Sequence, residues 1–582
     1  MRARRLIPLL AAAVAVIVVV SLMITAVMRQ EKCIELRMWT SEEKFVQLKD
    51  LTDGYGRSGR RVADRCVSVQ LTINDSRGAY QALAGQPGAT WSDAERPDIW
   101  SPSSSVWVER LRASVAERPG RVTGVGAARS LATTPVVIAM PQPMARALGW
   151  PETPIGWRDL LALARDPNGW GAKGHPEWGR FRFGKTNPLE STTGLLATVA
   201  SASALSGAPS LTTDTLPGVA GDLRDLELAT VHYGSQPHAF LGNLYNAAQE
   251  DDGLGYISAV ALEEKVVLDY NQGTILDDPP RQETAPRQPL AAVFPSDGTI
   301  VQDHPALVLD AAWVTPERRL AAEDFLAFAG ENAEMFTDAG FRDAEGKPGT
   351  PHTTEAGTVP TPVYQPVRTP DIGVIDGVTE LWEQTRRRAD VLVVMDTSAS
   401  MNTMVEAAGR SKLALARSAA AQVPRHLTAD DRVGLWEFSG ELGAGPTPWR
   451  PLLAPGPVAD VSGEFGSEVQ ALRAAGPTAL YATTRAAVRE MTARADPDRI
   501  SAVILISDGE NEYPADDNLE TLLTGLSEQD PDRAVRVFTI AYGEEADAVT
   551  LGKISAATRA LSYDATDPIT IEAVMRDVLS NF

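Results

Sequence analysis

The first hydrophobic pattern in the chain is an unbroken one. From Leu6 to Met28 only Pro8, Ser21 and Thr25 are not apolar, no charge occurs, and Arg2, Arg4 and Arg5 precede the run. As a helix this run is about 35 Å long, enough to cross a bilayer with slight tilt. The leading arginines favour a cytoplasmic N-terminus and put everything after Met28 outside. Residues 1–30 are therefore expected to form a cytoplasmic N-terminus and a transmembrane anchor. That makes the chain a single-pass plasma-membrane protein with both following domains extracytoplasmic. The competing reading is a cleaved signal peptide, although the run exceeds a normal signal core and no clear small-x-small cleavage site follows it.

After the anchor the pattern changes to short β-rich runs that alternate with amphipathic stretches. Ile34–Trp39 and Val67–Ile73 read as strands on either side of a helical stretch around Glu43 to Tyr55. A β-α-β unit runs its two strands parallel and starts them side by side. Cys33 and Cys66, the two cysteines of the chain, sit directly before these strands. Exported proteins meet oxidising conditions, so a Cys33–Cys66 disulfide is expected, with two unpaired buried thiols as the alternative. The same α/β alternation continues through Asp98–Trp100, Thr134–Met140 and Leu307–Trp313. Residues 31–346 are read as one domain of this kind. The segment 347–388 carries Pro348, Pro351, Pro360, Pro362, Pro366 and Pro370 and reads as an extended, partly stiff linker, ending in a short helix near Val378 to Arg388.

Residues 389–582 form a second α/β unit. An apolar strand, Val391–Met395, ends in Asp396-Thr-Ser398-Ala-Ser400, and an Ala- and Leu-rich helix follows from about Ser411 to Gln422. Another strand, Ile500–Ile506, ends in Ser507-Asp508-Gly509, and between them Gly476-Pro477-Thr478 opens a further helix. Asp431–Phe438 and Val535–Ala541 read as additional strands, with helices near Leu480 to Ala495 and Ile569 to Leu579. A doubly wound, mostly parallel sheet follows, and ligands of such sheets bind at the carboxyl ends of the strands.

That edge holds a distinctive donor set. Asp396, Ser398, Ser400, Thr478 and Asp508 offer only oxygen, as carboxylates and hydroxyls. Hard oxygen ligands suit Mg²⁺ first, with Mn²⁺ or Ca²⁺ as alternatives, rather than zinc. If the carboxylates act largely through water, the ion keeps much of its charge and can attract an external carboxylate. Recognition, and not bond-breaking, is the chemistry this arrangement predicts.

With those residues in view, 389–582 resembles a von Willebrand factor A domain, a Rossmann-like fold, carrying that family's metal-ion-dependent adhesion site as Asp-x-Ser-x-Ser at Asp396, Ser398 and Ser400, with Thr478 and Asp508. The resemblance implies direct metal binding by the three hydroxyls, and an aspartate or glutamate of a protein partner as the last ligand. Ala399 and Pro477 stand where many members have glycine, and neither change removes a ligand atom. Residues 31–346 resemble a two-lobed bacterial extracellular solute-binding protein through the order of Leu36–Ser41, Asp98–Ser105, Thr134–Met140, Thr186–Gly194 and Ala322–Phe328. By that analogy Ser41, Ser76, Ser104, Ser191 and Thr192 would face a cleft and hold a small solute or oxyanion. Helix caps and turn residues are the equal alternative for them.

Composition narrows the function further. There are 76 acidic and 54 basic residues, a formal net charge of −22, which argues against nucleic acid as a partner. Gly179-Arg-Phe-Arg-Phe-Gly184-Lys185-Thr186 fits the pattern of a phosphate-binding loop. Its interior alternates like a strand, and Asn187-Pro188 follows where a helix must begin, so the match is set aside. The histidines show no zinc spacing and no Gly-x-Ser-x-Gly elbow occurs, so no enzyme is expected. The sequence thus points to a cell-surface binding or adhesion protein with a second, solute-binding-like recognition domain. The alternative is the substrate-binding component of an ABC importer whose metal domain is a docking module. A chelatase-type subunit acting beside a cytoplasmic ATPase is disfavoured by the anchor.

Overall fold

The computed structural model describes residues 33–86, 92, 95–118, 120–249, 253–275, 281–442, 447–530 and 532–582. The expected anchor, residues 1–30, lies outside them. Among the described residues no helix is long and apolar enough to cross a membrane. The described residues fall into two compact units, those within 1–133 together with 302–349 and those within 134–301 together with 350–582. The division expected at 388/389 therefore runs through the interior of the second unit.

In the first unit the expected β-α-β element is present. Strand Ile34–Thr40 pairs in parallel with Val67–Ile73, starting at Ile34 opposite Val67, and helix Phe45–Arg57 connects them. Ile34–Thr40 also pairs in parallel with Ile99–Ser101, and the late strand Pro305–Ala311 joins antiparallel beside the latter. Leu36, Met38, Leu48, Leu51, Tyr55 and Phe325 close the core over this sheet. Cys33 and Cys66 are disulfide-bonded with their Cα atoms 4.6 Å apart, immediately before the first register pair.

Among its described residues the second unit contains two larger sheets, besides two two-stranded ones. In the first, Leu290–Val293, Thr134–Pro141, Ala259–Glu263 and Phe183–Gly184 lie side by side in that order. The other has six strands in the order Trp449–Pro457, Arg432–Phe438, Arg388–Asp396, Arg499–Ser507, Arg536–Tyr542 and Ser562–Ala565, all parallel except the first. Along Arg388–Asp396 the side chains of Val391, Val393 and Met395 enter one core, and those of Leu392 and Val394 enter the core on the opposite face. Burial on both faces is why this strand is a continuous apolar run instead of an alternating one.

The proline-rich segment is packed, contrary to its reading as an extended linker. Gly357 accepts from the N–H of Ala292 at 2.7 Å, Ala356 accepts from the Asn271 side chain at 2.8 Å, and Val367 donates to Thr299 at 2.7 Å. The helix expected near Val378 to Arg388 runs from Ile372 to Thr385 and buries Ile375, Val378, Leu381 and Trp382, while Arg388 already opens the central strand. Gly377 lets this helix approach Leu216, because a Cβ there would stand 2.7 Å from Leu216 Cδ1.

The six-stranded sheet and the sheet before it share one core. Tyr233 and Trp382 belong to the same buried cluster as Val391, Phe538 and Phe582. The chain end is held there: Asn581 C=O accepts from the N–H of Tyr233 at 3.0 Å, and Ser580 C=O accepts from the Asn187 amide at 3.0 Å. His232 lies against Phe240 and within 3.2 Å of the Asn581 side chain. Burial, aided by the nearby Arg536 charge, lowers its pKa to about 3.

Two predictions follow from this packing. The Cys33–Cys66 bridge closes a loop of 33 residues, so replacing both cysteines with serine should lower the unfolding free energy of the first unit by roughly 3–4 kcal/mol in denaturant titrations. His232 is neutral in the folded state and protonates near pH 6.5 when unfolded, so the unfolded state binds the extra proton between those pKa values. The stability that His232 contributes is therefore complete above about pH 6.5 and falls by about 1.4 kcal/mol per unit as the pH drops toward about 3. The variant His232→Asn should flatten that part of the stability–pH curve, and an unchanged slope would exclude the assignment.

Candidate functional site

Asp396 is the last residue of the central strand and is fully buried. The chain turns at once, and one carboxylate oxygen accepts the N–H of Ser398 at 2.8 Å while the other accepts the hydroxyl of Ser507 at 2.6 Å. Burial pushes its pKa up to about 6, against the hydrogen bonds from Ser398 and Ser507, and the neighbouring Asp508 charge adds to the rise. The Ser398 and Ser400 hydroxyls lie 2.9 Å apart, and Ser400 donates to Asp508 Oδ1 at 2.7 Å. Asp508 follows the end of strand Arg499–Ser507, is itself fully buried, and accepts on Oδ2 from the Lys412 ammonium at 3.0 Å.

Thr478 comes from a third loop. Its backbone is tied to the Asp508 loop by two bonds with Glu512: the Glu512 N–H donates to Thr478 C=O at 2.8 Å and Thr478 N–H donates to the Glu512 carboxylate at 3.3 Å. The Thr478 hydroxyl lies against Gly509, where a Cβ would stand 3.2 Å from it. This third loop also meets the first, since Ala399 N–H donates to Gly476 C=O at 2.8 Å. Ala399 is exposed, so its methyl group has room. Pro477 uses its carbonyl to accept from Gly440 N–H at 2.7 Å, and the turn before it needs Gly476, whose φ is +77°.

Asp396, Ser398, Ser400 and Asp508 thus form one hydrogen-bonded cluster, with Thr478 on the adjoining loop. Among the described residues no group of three or more His, Cys, Asp and Glu side chains gathers as for a metal. The cluster has a different chemistry, in which hydroxyls outnumber carboxylates. Two buried carboxylates beside one buried ammonium leave an excess of negative charge, and the donors are hard oxygens, so the residues fit a divalent cation. Ser507, Lys412, Gly509 and Glu512 complete the arrangement and were not among the expected residues. Ser507 and Gly509 flank Asp508 in sequence. Lys412 opens the helix after the first loop, a position that reads equally well as solvated.

The expected solute-contacting residues divide between the units. In the first, Ser41, Ser76 and Ser104 are buried near the carboxyl ends of strands Ile34–Thr40 and Ile99–Ser101. Lys44, also buried, donates to the Ser41 hydroxyl at 2.6 Å and to Pro102 C=O at 3.0 Å. Ser76 and Ser103 hydroxyls lie 3.0 Å apart, and Ser104 caps helix Ser105–Glu117, accepting from Val106 N–H at 3.4 Å. In the second unit Ser191 caps helix Thr192–Ser206, accepting from Gly194 N–H at 3.5 Å, and Thr192 is its buried first residue. The phosphate-loop lookalike is a buried structural element. Lys185 Nζ donates to Thr198 at 3.1 Å and pairs with Glu227, which also accepts from Tyr233 at 2.8 Å.

Comparison with known proteins gives matches to both halves. Residues 58–342 match the family model of the bacterial extracellular solute-binding protein, and residues 390–577 that of the von Willebrand factor type A domain. Two uncharacterized proteins of Mycobacterium tuberculosis, one from each of two strains, align at 25% identity over 527 residues, 87% of this chain and 70% of each relative. A solved von Willebrand factor type A structure from Catenulispora acidiphila is 21% identical at a TM-score of 0.27, covering 33% of this chain and 42% of that one. The chain thus spans less than half of that structure's length. A periplasmic thiamin binding protein is 12% identical at a TM-score of 0.40, covering 62% of this chain and 98% of that one.

The hydroxyl of Ser507 is the testable support of the cluster. Ser507→Ala removes a buried donor to Asp396 without touching any of the five expected metal donors. It should destabilise the protein by about 1–3 kcal/mol in denaturant titrations under chelating conditions, and an unaltered midpoint would show that the bond contributes nothing.

Proposed function

From a chain that joins a bacterial extracellular solute-binding domain to a von Willebrand factor A domain, we propose a membrane-anchored binding protein of the cell envelope, without catalytic activity, that holds an acidic group of a protein partner at a divalent cation. One observation carries the reading: three loops from separate parts of the chain converge at one sheet edge and bring only oxygen donors. Ser398, Ser400 and Thr478 would hold the cation directly, and Asp396 and Asp508 would supply the balancing charge. Mg²⁺ is the expected occupant, with Mn²⁺ or Ca²⁺ as alternatives. Bound there, the cation supplies an electrophilic position for an aspartate or glutamate carboxylate of the partner.

The chain's own residues do the positioning. Ser507 and the N–H of Ser398 hold both oxygens of Asp396 and so fix the start of the first loop. Glu512 fastens the Thr478 loop to the Asp508 loop through its N–H and its carboxylate, both bonded to the Thr478 backbone. Anchoring by the apolar run Leu6–Met28 would leave both domains on the outer face of the plasma membrane. The solute-binding domain would act as a second recognition module. A second reading, favoured by the family match of 58–342, is the substrate-binding component of an ABC importer with the metal domain as its docking module. A small solute released when the purified protein is denatured would favour that reading.

The direct test is calorimetric titration of Mg²⁺ and Mn²⁺ into the full-length protein, beside an Asp396→Ala, Ser398→Ala double variant. Saturable binding should appear in the natural protein and vanish in the variant. Absence of binding at millimolar metal, in the natural protein and in every folded variant that keeps the five donors, overturns the metal-dependent reading.

A further inference from the structure

Asp508 already holds a cation of the protein's own. The Lys412 ammonium donates to its Oδ2 at 3.0 Å while Ser400 occupies its Oδ1 at 2.7 Å, so both oxygens of this expected metal donor are engaged. The pair is shielded: Asp508 is fully buried and the Lys412 side chain is 6% exposed. Glu545, the other carboxylate near the ammonium at 3.7 Å, is 74% exposed, so its attraction is screened by solvent. Lys412 is also fixed along its whole length. Its N–H donates to Thr403 C=O at 2.9 Å and its own C=O accepts the Tyr542 hydroxyl at 2.8 Å. Its stem crosses Gly543, where a Cβ would stand 2.8 Å from Lys412 Cε, and the φ of +87° at that position favours glycine. A solvated surface lysine needs none of this.

Resting on the metal reading of the site, we infer that Lys412 is an internal counter-ion that competes with the divalent cation for Asp508. In the metal-free protein it neutralises a carboxylate that would otherwise be buried with only the Ser400 hydroxyl as a partner. When a divalent cation approaches, the same charge repels it and holds one of its donors. The result is a site that stays folded without metal and binds metal more weakly than its donor set would allow.

The experiment compares the full-length natural protein with Lys412→Met and Lys412→Gln, the second retaining a hydrogen-bond donor in case the first does not fold. Calorimetry with Mn²⁺ should show both variants binding about tenfold tighter or more, since a unit charge a few ångströms from the cation is removed. With a chelator both should melt below the natural protein, and saturating Mn²⁺ should close that gap. A lysine with only a structural role would lower the melting temperature in both conditions and leave metal affinity unimproved. Equal or weaker Mn²⁺ binding in the folded variants overturns the inference, and the metal reading stands if the Asp396→Ala, Ser398→Ala variant has lost binding. No Mn²⁺ binding by the natural protein or by either Lys412 variant overturns both.

Discussion

A carboxylate at the end of a strand that is covered on both faces cannot reach bulk water, so its charge has to be satisfied by whatever other segments bring to it. Asp396 is in that position, and the architecture of the C-terminal edge follows from it. Ser507 arrives from the neighbouring parallel strand, in register because Met395 stands opposite Ile506. That register delivers Asp508 one residue later, where Ser400 and Lys412 can both reach it. Two buried carboxylates a loop apart repel one another. The lysine and the serine hydroxyls offset that repulsion, which is why the cluster mixes charges with neutral donors instead of gathering acids alone.

The same reliance on distant partners extends to the joint between the two sheets of the second unit. Trp382 packs edge-on against Tyr233 at 5.2 Å, and the Tyr233 hydroxyl completes the buried Lys185–Glu227 pair. Arg387, next to the start of the central strand, donates to Thr230 C=O at 2.8 Å and to Pro497 C=O, so its guanidinium bridges the elements that flank the joint. Breaking one member of such a pair strands the other charge in the interior, which costs far more than the pair contributes. Contacts of this kind join the C-terminal sheet and the preceding one in a single compact unit, although each matches a separate family model.

Much of this was readable from the residues, and for physical reasons. Val391–Met395 is apolar without alternation because both faces are buried, and the polar residues after it mark where the sheet edge begins. The cysteines stand before two strands that pair in parallel, so their position, together with the oxidising surroundings expected of an exported chain, favours the bridge over two unpaired thiols. The failures have causes too. Proline marks 347–388 as irregular and suggests an extended course, but the partners that pack it, such as the Ala292 N–H and the Asn271 side chain, lie far away in sequence. Gly373 and Gly377 hide the helix start at Ile372, since glycine lowers helix propensity and the reason for one of them is a close approach to Leu216. Lys412 has no local signature, because its role is created by Asp508 and Gly543 folding over it.

Charge gives the final constraint on recognition. The chain carries a net charge of −22, so within the screening length of roughly 8 Å its surface repels a partner that presents acidic groups. An acidic partner can therefore be held only by positive charge concentrated at the contact itself. With Asp396 and Asp508 ionised and Lys412 retained, a divalent cation would leave the cluster with an excess of one positive charge, since Glu545 is too exposed to cancel it strongly. One carboxylate from outside restores neutrality. The lysine that weakens metal binding in isolation is, on this reasoning, what makes the loaded site call for an acidic ligand.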